Sequence, residues 1–302
     1  VRTRIRSTIK AKKEFEEVGR KVRVHLPIPK VYEQVSNVEI HASNPEITYI
    51  AHADAPQRTV YFETELKENQ EFMVDYSFDY HVNYVELDPA KVSEEQPDFC
   101  LEEQAPHIVF TPYLKELRDE LAGDETNPVI LARRFYDFVT TKVMYSFMRE
   151  YFTIECIPEY CAINLKGDCG VQALLFITLC RMSGIPARWQ SGLFVTRYYT
   201  GCHDWAQFYV APYGWVFADL SFGGSAWREG DKERWNYYFG NLDIFRMPAN
   251  SEIQKEFMPE KKWLRIDPID NQRGEFEYED HGLRFSQVDV SQELISMEDI
   301  EK

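Results

Sequence analysis

Apolar and polar residues alternate along the first part of the chain, up to about residue 90. In the segment 72–84, aromatic and aliphatic residues take every second position from Phe72 to Tyr84, and mostly polar residues lie between them. A period of two with one apolar face predicts β-strands. Residues 22–26 and 59–64 alternate in the same way. We therefore predict an antiparallel β-sandwich over residues 1–90 with the aromatic stripe in its core, a carbohydrate-binding face being the alternative.

The period changes after an acidic linker with several prolines at residues 91–108. Thr111-Pro112 and Asn127-Pro128 each combine an N-cap residue with a proline at the first helical position, and apolar residues follow at helical spacing. A third helix is predicted from about Cys169 to Met182. It is apolar on nearly every side, which is typical of a helix buried in the middle of its domain.

Strand patterns return after this helix, at residues 187–195, 203–210 and 215–220. Helices followed by antiparallel strands predict an α+β fold, in which helices pack on an antiparallel sheet. We assign residues 109–250 to this second domain. Residues 251–302 are predicted to form a β extension of it and a tail.

The overall charge limits the kinds of partner. The chain carries 34 Lys and Arg against 50 Asp and Glu, a formal net charge of −16. Such an acidic chain is unsuited to binding nucleic acid. No apolar run approaches the ~18 residues of a membrane span, and the basic start at Val1 has no signal-peptide core. We expect a cytoplasmic protein without a membrane span. Because the sequence starts with Val1, we also expect a processed or truncated chain that could have lost an upstream signal or anchor.

Six cysteines are too few for a disulfide-stabilised scaffold in a chain of 302 residues. Cys156 and Cys161 lack the spacing of a zinc site, and buried free thiols are the expected alternative. Cys169 differs from the others because it begins the predicted buried helix. Unpaired N–H groups and the helix dipole favour a thiolate there. Asp168 is a plausible N-cap whose charge opposes the thiolate, so a histidine would have to complete the activation.

His203 and Asp219 are the candidate partners of Cys169. His203 is predicted to open a strand, with Trp205 on its face, and it has a cysteine upstream and a carboxylate downstream in the same domain. Asp219 ends an apolar strand, where an unpaired carboxylate would be costly, so we expect it to orient the His203 imidazole. The two can share a face only if the hairpin pairs residues whose numbers sum to an even value, as a three-residue loop at 211–213 would produce. A four-residue loop at 211–214 would put them on opposite faces unless a bulge intervenes.

Together these segments resemble the transglutaminase-like superfamily, a papain-related group of Cys-His-Asp enzymes. The family places Cys in Gly-x-Cys at a helix start, then Gly-Ile-Pro-Ala-Arg, then His in His-x-Trp, and Asp after Gly-Trp. These motifs are matched at residues 167–169, 184–188, 203–205 and 214–219. The resemblance covers about residues 105–245, and the N-terminal strands look like the β-domain that often precedes this core in bacterial members. Gln207 and Leu220-Ser221 depart from the family's usual Glu and Pro-Thr.

The resemblance implies a thiol-dependent acyl-transfer enzyme without a cofactor or metal. Cys169 would attack an amide carbonyl of a peptide, protein or other amide-bearing substrate, with His203 as base and then acid. Resolution by water makes a peptidase, isopeptidase or amidase; resolution by an amine makes a transglutaminase. We expect hydrolysis, because the calcium sites of animal transglutaminases are not visible. The Cys169 N–H is one oxyanion donor, and Asn164 and Tyr145 are candidates for the second.

Two other functional classes stay open. The superfamily includes members that have lost the triad and serve as interaction modules, and a binding module would fit the composition as well. A metal site built from Cys169, Cys202, His203 and Asp219 is disfavoured, because Cys202 is next to His203 in a strand and should point to the opposite face. The reactivity of Cys169 separates the enzyme from the binding module.

Overall fold

The computed structural model describes residues 1–263 and 265–300. The chain forms two compact units, and it passes between them within strands near Gln190 and His203. The strand unit comprises Val1–His81, Ser191–His203 and Ile244–Lys302, and the helix unit comprises Val82–Gln190 and Asp204–Asp243. The acidic linker predicted at 91–108 therefore lies within the helix unit.

The strand unit contains two antiparallel four-stranded sheets. Their orders are β15-β1-β6-β3 and β14-β2-β5-β4. The strands are β1 (Arg2–Ala11), β2 (Lys21–Pro27), β3 (Val35–Asn44), β4 (Tyr49–Ile50), β5 (Thr59–Glu65), β6 (Phe72–Tyr80), β14 (Glu275–Tyr278) and β15 (Val288–Glu298).

Both sheets contribute side chains to one hydrophobic core, as the alternating pattern predicted. Ile5 and Ile9 of β1, Val24 of β2 and Phe62 of β5 are fully buried members of this core. The aromatic stripe of β6 is also buried in it rather than exposed, with Phe72 packed edge-on against Phe276 at 5.5 Å. The burial of the stripe removes the surface that a carbohydrate-binding face would need.

The C-terminal segment has a different place from the one expected. Residues 251–302 were predicted to extend the second domain, but β14 pairs with β2 and β15 pairs with β1. Strand β15 runs antiparallel to β1, with Val288 opposite Ala11 at one end and Glu298 opposite Arg2 at the other. The first and last strands of the chain therefore complete the same sheet. Local patterning could not show this, because strand pairing across almost the whole chain leaves no local signal.

The helix unit contains α1 (Pro112–Ala122), α2 (Pro128–Lys142), β7 (Met144–Tyr145), α3 (Ile157–Asn164), β8 (Lys166–Gly167), α4 (Cys169–Met182), β11 (Gly214–Ala218), α5 (Leu220–Glu229), α6 (Lys232–Tyr237) and β12 (Phe239–Gly240). Strands β9 (Ala187–Val195) and β10 (Thr200–Val210) run through both units, and β13 (Arg246–Asn250) pairs with β9 in the strand unit.

The helix starts agree with the sequence prediction because they depend on local hydrogen bonds. Thr111 caps α1 through Leu114 N–H, and Asn127 caps α2 through Val129 and Ile130 N–H. The α4 helix is buried from Gly170 to Arg181. Its Phe176 ring packs against Phe208 of β10 at 5.6 Å. Thus α4 is the central helix of this unit, and the predicted α+β architecture is confirmed. No helix in the described ranges is long and apolar enough to cross a membrane.

The β10–β11 hairpin has the register that the candidate residues require. Ala206 pairs with Ala218 and Val210 with Gly214, so the loop consists of residues 211–213. Pairs in this register sum to an even number, as the proposed meeting of His203 and Asp219 demands. Strand β10 begins at Thr200, so His203 does not open it.

We predict that Gly192→Ala destabilises the strand unit by about 1–3 kcal/mol, because overpacking forces the backbone to shift. A Cβ on Gly192 would overlap the carbonyl of Met247 on the paired strand β13. Gly19→Ala is the comparison: its φ is +84° but no atom lies within 4 Å of an added Cβ. Urea unfolding should show the larger loss for Gly192→Ala, and the reverse order would contradict the close-approach argument.

Candidate active site

Cys169 is the first residue of α4, and local hydrogen bonds fix its backbone there. The Asp168 carboxylate accepts from Val171 N–H at 3.2 Å, so Asp168 is the N-cap as predicted. Gln172 Nε2 donates to Gly167 O at 2.8 Å on the other side of Cys169. The residue itself is half-buried, whereas Cys161 and Cys180 are buried. Cys169 is therefore a half-buried residue held at a rigid helix start.

An acidic and phenolic cluster surrounds this thiol. Cys169 Sγ donates to Asp204 Oδ2 at 3.3 Å. The Tyr151 hydroxyl donates to Asp168 Oδ1 and lies 3.5 Å from Asp204 Oδ2. Tyr151 follows α2 in a short 3-10 turn, Tyr151–Thr153. The thiol, the phenol and the two carboxylates thus form one connected hydrogen-bonded group.

Gly170 permits this close approach. A Cβ at this position would lie 2.5 Å from the Tyr151 hydroxyl and 2.6 Å from Asp204 Oδ2. Any larger residue would displace the phenol or the carboxylate from the start of α4. The cluster therefore requires a glycine directly after Cys169.

The electrostatics of the thiol differ from the prediction. Desolvation, followed by the negative charges of Asp204 and Asp168, raises the pKa of Cys169 well above its usual value. A backbone hydrogen bond from Asp204 opposes this effect without reversing it. The expectation that the helix start favours a thiolate is therefore wrong for this resting structure. Two carboxylates and a poorly solvated position outweigh the helix dipole.

Asp219 occupies a second helix start. It is fully buried, and its Oδ1 accepts from Phe222 N–H at 3.0 Å and from Ser221 Oγ at 3.2 Å. It is the N-cap of α5, a helix that the sequence analysis did not predict. These two hydrogen bonds at the start of α5 occupy Oδ1 of the buried carboxylate, for which the sequence had predicted only the His203 imidazole as partner. Its role as the orienting group stays a prediction.

His203 is the last residue of its segment in the strand unit and directly precedes Asp204. Its side chain is buried, and its ring centroid lies 6.3 Å from that of Phe194. Its backbone carbonyl accepts from Gln272 Nε2 at 3.0 Å. Cys169 and Asp219 belong to the helix unit. The triad Cys169, His203 and Asp219 remains a prediction, whose register condition on β10 is met.

Asp204 and Tyr151 are the residues that sequence reasoning missed. Asp204 is the middle residue of His-Asp-Trp, and neighbouring side chains of a strand point to opposite faces. The argument applied to Asp219, that a carboxylate in an apolar strand needs a partner, would have singled it out. Tyr151 had no comparable signal, because it lies in an irregular segment.

The other candidates can be placed as well. Tyr145 lies on β7, which pairs in parallel with β8 just before Cys169. Asn164 is at the end of α3, and its Nδ2 donates to Tyr160 O within that helix at 2.8 Å. Among residues 1–263 and 265–300, no three His, Cys, Asp or Glu side chains converge as a metal site.

Exposed apolar side chains cluster in sequence around β7, β8 and α3. Phe147 is 95% exposed, although an aromatic ring of this size is normally buried. Met144 N–H donates to Leu165 O at 2.9 Å, which brings two of these residues together. The set comprises Met144, Tyr145, Phe147, Phe152, Ile163 and Leu165.

Comparison with known proteins agrees with the resemblance seen in the motifs. Residues 115–220 match the model of the Transglutaminase-like superfamily. A crystal structure from Cytophaga hutchinsonii, described as a "putative cysteine protease", is 14% identical, with a TM-score of 0.59 over 99% of this chain and 92% of that one. The periplasmic domain of TgpA from Pseudomonas aeruginosa is 14% identical, with a TM-score of 0.42 over 72% of this chain and 74% of that one. No curated protein matches the sequence at a significant level.

We predict that Asp204→Asn lowers the pKa of Cys169, because it removes a negative charge 3.3 Å from the sulfur. The pH dependence of iodoacetamide alkylation, with mass mapping of each cysteine, measures this shift. Asp231→Asn is the control, since it removes a carboxylate that caps α6. An unchanged or higher midpoint for Asp204→Asn would show that the carboxylate does not control the thiol.

Proposed function

Because residues 115–220 match the model of the Transglutaminase-like superfamily, we propose that the chain is a thiol-dependent acyl-transfer enzyme that hydrolyses a peptide or related amide. The observation that carries the proposal is the position of Cys169. It is a half-buried thiol on the first residue of a buried helix, within the matched segment. The first N–H groups of a helix have no partner within it, so the backbone there can stabilise an oxyanion.

The proposed reaction uses Cys169, His203 and Asp219. The imidazole of His203 accepts the thiol proton as Sγ attacks the amide carbonyl carbon. The tetrahedral intermediate then collapses, and His203 returns the proton to the departing amine. Water, deprotonated by the same imidazole, attacks the thioester and releases the acid and the free thiol. Asp219 orients the imidazole and stabilises its protonated form.

The protonated resting thiol suits general-base catalysis. With Asp204 and Asp168 beside it, a standing thiolate would add a third negative charge to the cluster. Proton removal therefore has to accompany attack on the substrate. The proposed reaction thus needs a base that acts during attack, and His203 is the residue that we propose for it.

The exposed apolar side chains around β7, β8 and α3 support an acyl donor that carries apolar groups. Desolvation of such a surface by a substrate is favourable, at about 25 cal/mol per Å² of apolar area buried. Soluble proteins that expose contiguous apolar surface often use it for binding. We accordingly propose peptides with aromatic or aliphatic side chains near the scissile bond as substrates.

A non-catalytic binding module is the second candidate. The raised pKa of Cys169 favours it, because a thiol that stays protonated is a weak nucleophile. In that case the thiol would be a structural donor to Asp204. The two candidates differ in whether an acyl group ever forms on Cys169.

We expect p-nitrophenyl acetate to acylate Cys169, with a burst of nitrophenol followed by slower turnover. His203→Ala should slow this acylation by about 10²- to 10⁴-fold, because it removes the general base. His52→Ala, at an exposed histidine of the strand unit, is the control, and Cys169→Ala gives the blank. Acylation of Cys169 no faster than that of the half-buried Cys100, or indifferent to His203, would favour the binding module.

A primary amine added during turnover separates hydrolysis from transamidation. We expect acetate to remain the main product, because we propose water as the acceptor. Predominant formation of the acetylated amine would identify a transglutaminase instead.

A further inference from the structure

A cavity of the strand unit combines a thiol, a cation and aromatic side chains, apart from the residues assigned to acyl transfer. Its volume is about 410 Å³, a size typical of small-molecule sites. Cys202, Arg273 and Phe285 are among the residues that line it. We propose that this cavity binds small anionic disulfides and that Cys202 exchanges with them to form a mixed disulfide. The inference does not depend on the proposed reaction at Cys169.

The sulfur of Cys202 lies beside a guanidinium group. Arg273 Nε donates to Cys202 Sγ at 3.3 Å, and Cys202 is half-buried. The thiolate is the nucleophile in disulfide exchange, and a neighbouring arginine favours it. At Cys169, by contrast, the sulfur donates to the carboxylate of Asp204. The two half-buried thiols therefore have groups of opposite charge beside them.

Hydrogen bonds between three segments hold the walls of the cavity together. Gln272 Nε2 donates at 3.0 Å to the carbonyl of His203, which follows Cys202 in β10. Gln292 Nε2 of β15 donates to Gln272 O at 2.6 Å. Because Arg273 is the residue after Gln272, these bonds fix its backbone relative to both strands. The contact between the guanidinium and the sulfur is thus supported by the surrounding strands.

The lining of the cavity suits an anionic ligand with an apolar or aromatic body. In the part of the chain that the structure describes, Arg273 is its single charged lining residue. The guanidinium carbon lies 5.1 Å from the centre of the Phe285 ring. Tyr199 adds a second ring and Val290 an aliphatic wall. A carboxylate can pair with the guanidinium while the rest of the ligand covers these apolar side chains.

Exchange at this site needs no reactant other than the disulfide. Once the thiol proton of Cys202 has passed to solvent, Sγ attacks one sulfur of the ligand, and a new S–S bond forms as the old one breaks. The departing half takes the bonding electron pair and leaves as a thiolate. Cys202 is thereby oxidised and the departing sulfur is reduced. A carboxylate on the retained half stays beside Arg273 and holds the adduct in the cavity.

The test measures how fast three reagents label Cys202, by mass mapping of each cysteine. Dithiobis(nitrobenzoate) is an anionic aromatic disulfide, cystamine is a cationic disulfide, and iodoacetamide is an uncharged alkylating agent that reports the thiolate alone. We expect Arg273→Gln to slow the anionic disulfide about tenfold more than iodoacetamide, because a charge in a cleft raises the encounter rate of its counter-ion. The loss with cystamine should be no larger than the loss with iodoacetamide.

Arg197→Gln is the matched control, because Arg197 is an exposed arginine of the same unit that lies outside the cavity lining. It removes the same charge and should leave all three rates at the wild-type value. Arg273→Lys retains the charge, so it should keep more of the rate with the anionic disulfide than Arg273→Gln does.

Two results would overturn the inference. Equal slowing of all three reagents in Arg273→Gln would mean that the guanidinium acts only on the thiol and does not bind an anion. Labelling of wild-type Cys202 by dithiobis(nitrobenzoate) no faster than that of the half-buried Cys100 would mean that the cavity gives the thiol no advantage. Neither result bears on acylation of Cys169, so the proposed function is tested separately.

Discussion

The burial of α4 on every side is the constraint on which the candidate site depends. Side chains from Gly170 to Arg181 are enclosed, so the helix cannot rotate or slide without exposing apolar surface or opening cavities. Its first residue, Cys169, is consequently held in one place. Asp168 caps the first turn and accepts a hydrogen bond from Tyr151, whose hydroxyl lies close to Asp204. Asp204 in turn accepts a hydrogen bond from the Cys169 thiol. Packing deep in the unit thus determines which groups surround the sulfur.

The charges around that sulfur define how the enzyme would have to work. A helix start alone favours a thiolate, but desolvation and two carboxylates reverse that preference. The thiol rests in its protonated form with Asp204 as acceptor. Acyl transfer then requires a base that acts during attack and donors that act only on the developing oxyanion. His203 is the residue that we propose as this base, and the Cys169 N–H at the start of α4 is one such donor.

The parts of the fold that the sequence predicted correctly are those governed by local chemistry. Thr111, Asn127 and Asp168 each cap a helix through their own side chain, and alternation in the first 80 residues reports directly on one buried face. The hairpin register was predicted only as a condition, because the sequence allowed a three-residue or a four-residue loop, and the structure has the three-residue loop. Each of these signals lies within a few consecutive residues, so it can be recognised in the sequence without knowledge of the tertiary structure.

The parts that were missed depend on contacts between distant segments. The pairing of β15 with β1 joins residues that are 277 to 296 positions apart, and no local pattern marks it. The approach of Asp204 to Cys169 depends on which face of β10 packs toward α4. The helix that Asp219 caps was hidden because the residues after it were interpreted as the end of a strand. In each case the sequence allowed more than one hydrogen-bond partner for the strand or side chain, and the tertiary packing determined which partner it has.

Direct trapping of an acyl-enzyme is the measurement that tests the central claim most closely. The protein would be incubated with a mixture of peptides rich in aromatic and aliphatic residues, quenched in acid within milliseconds to seconds, and mapped by mass spectrometry. The account predicts peptide acyl groups in thioester linkage on Cys169 alone, together with newly formed peptide carboxylates that incorporate oxygen from labelled water. Peptides that are retained without any covalent adduct on Cys169 and without cleavage would contradict it and identify a binding module.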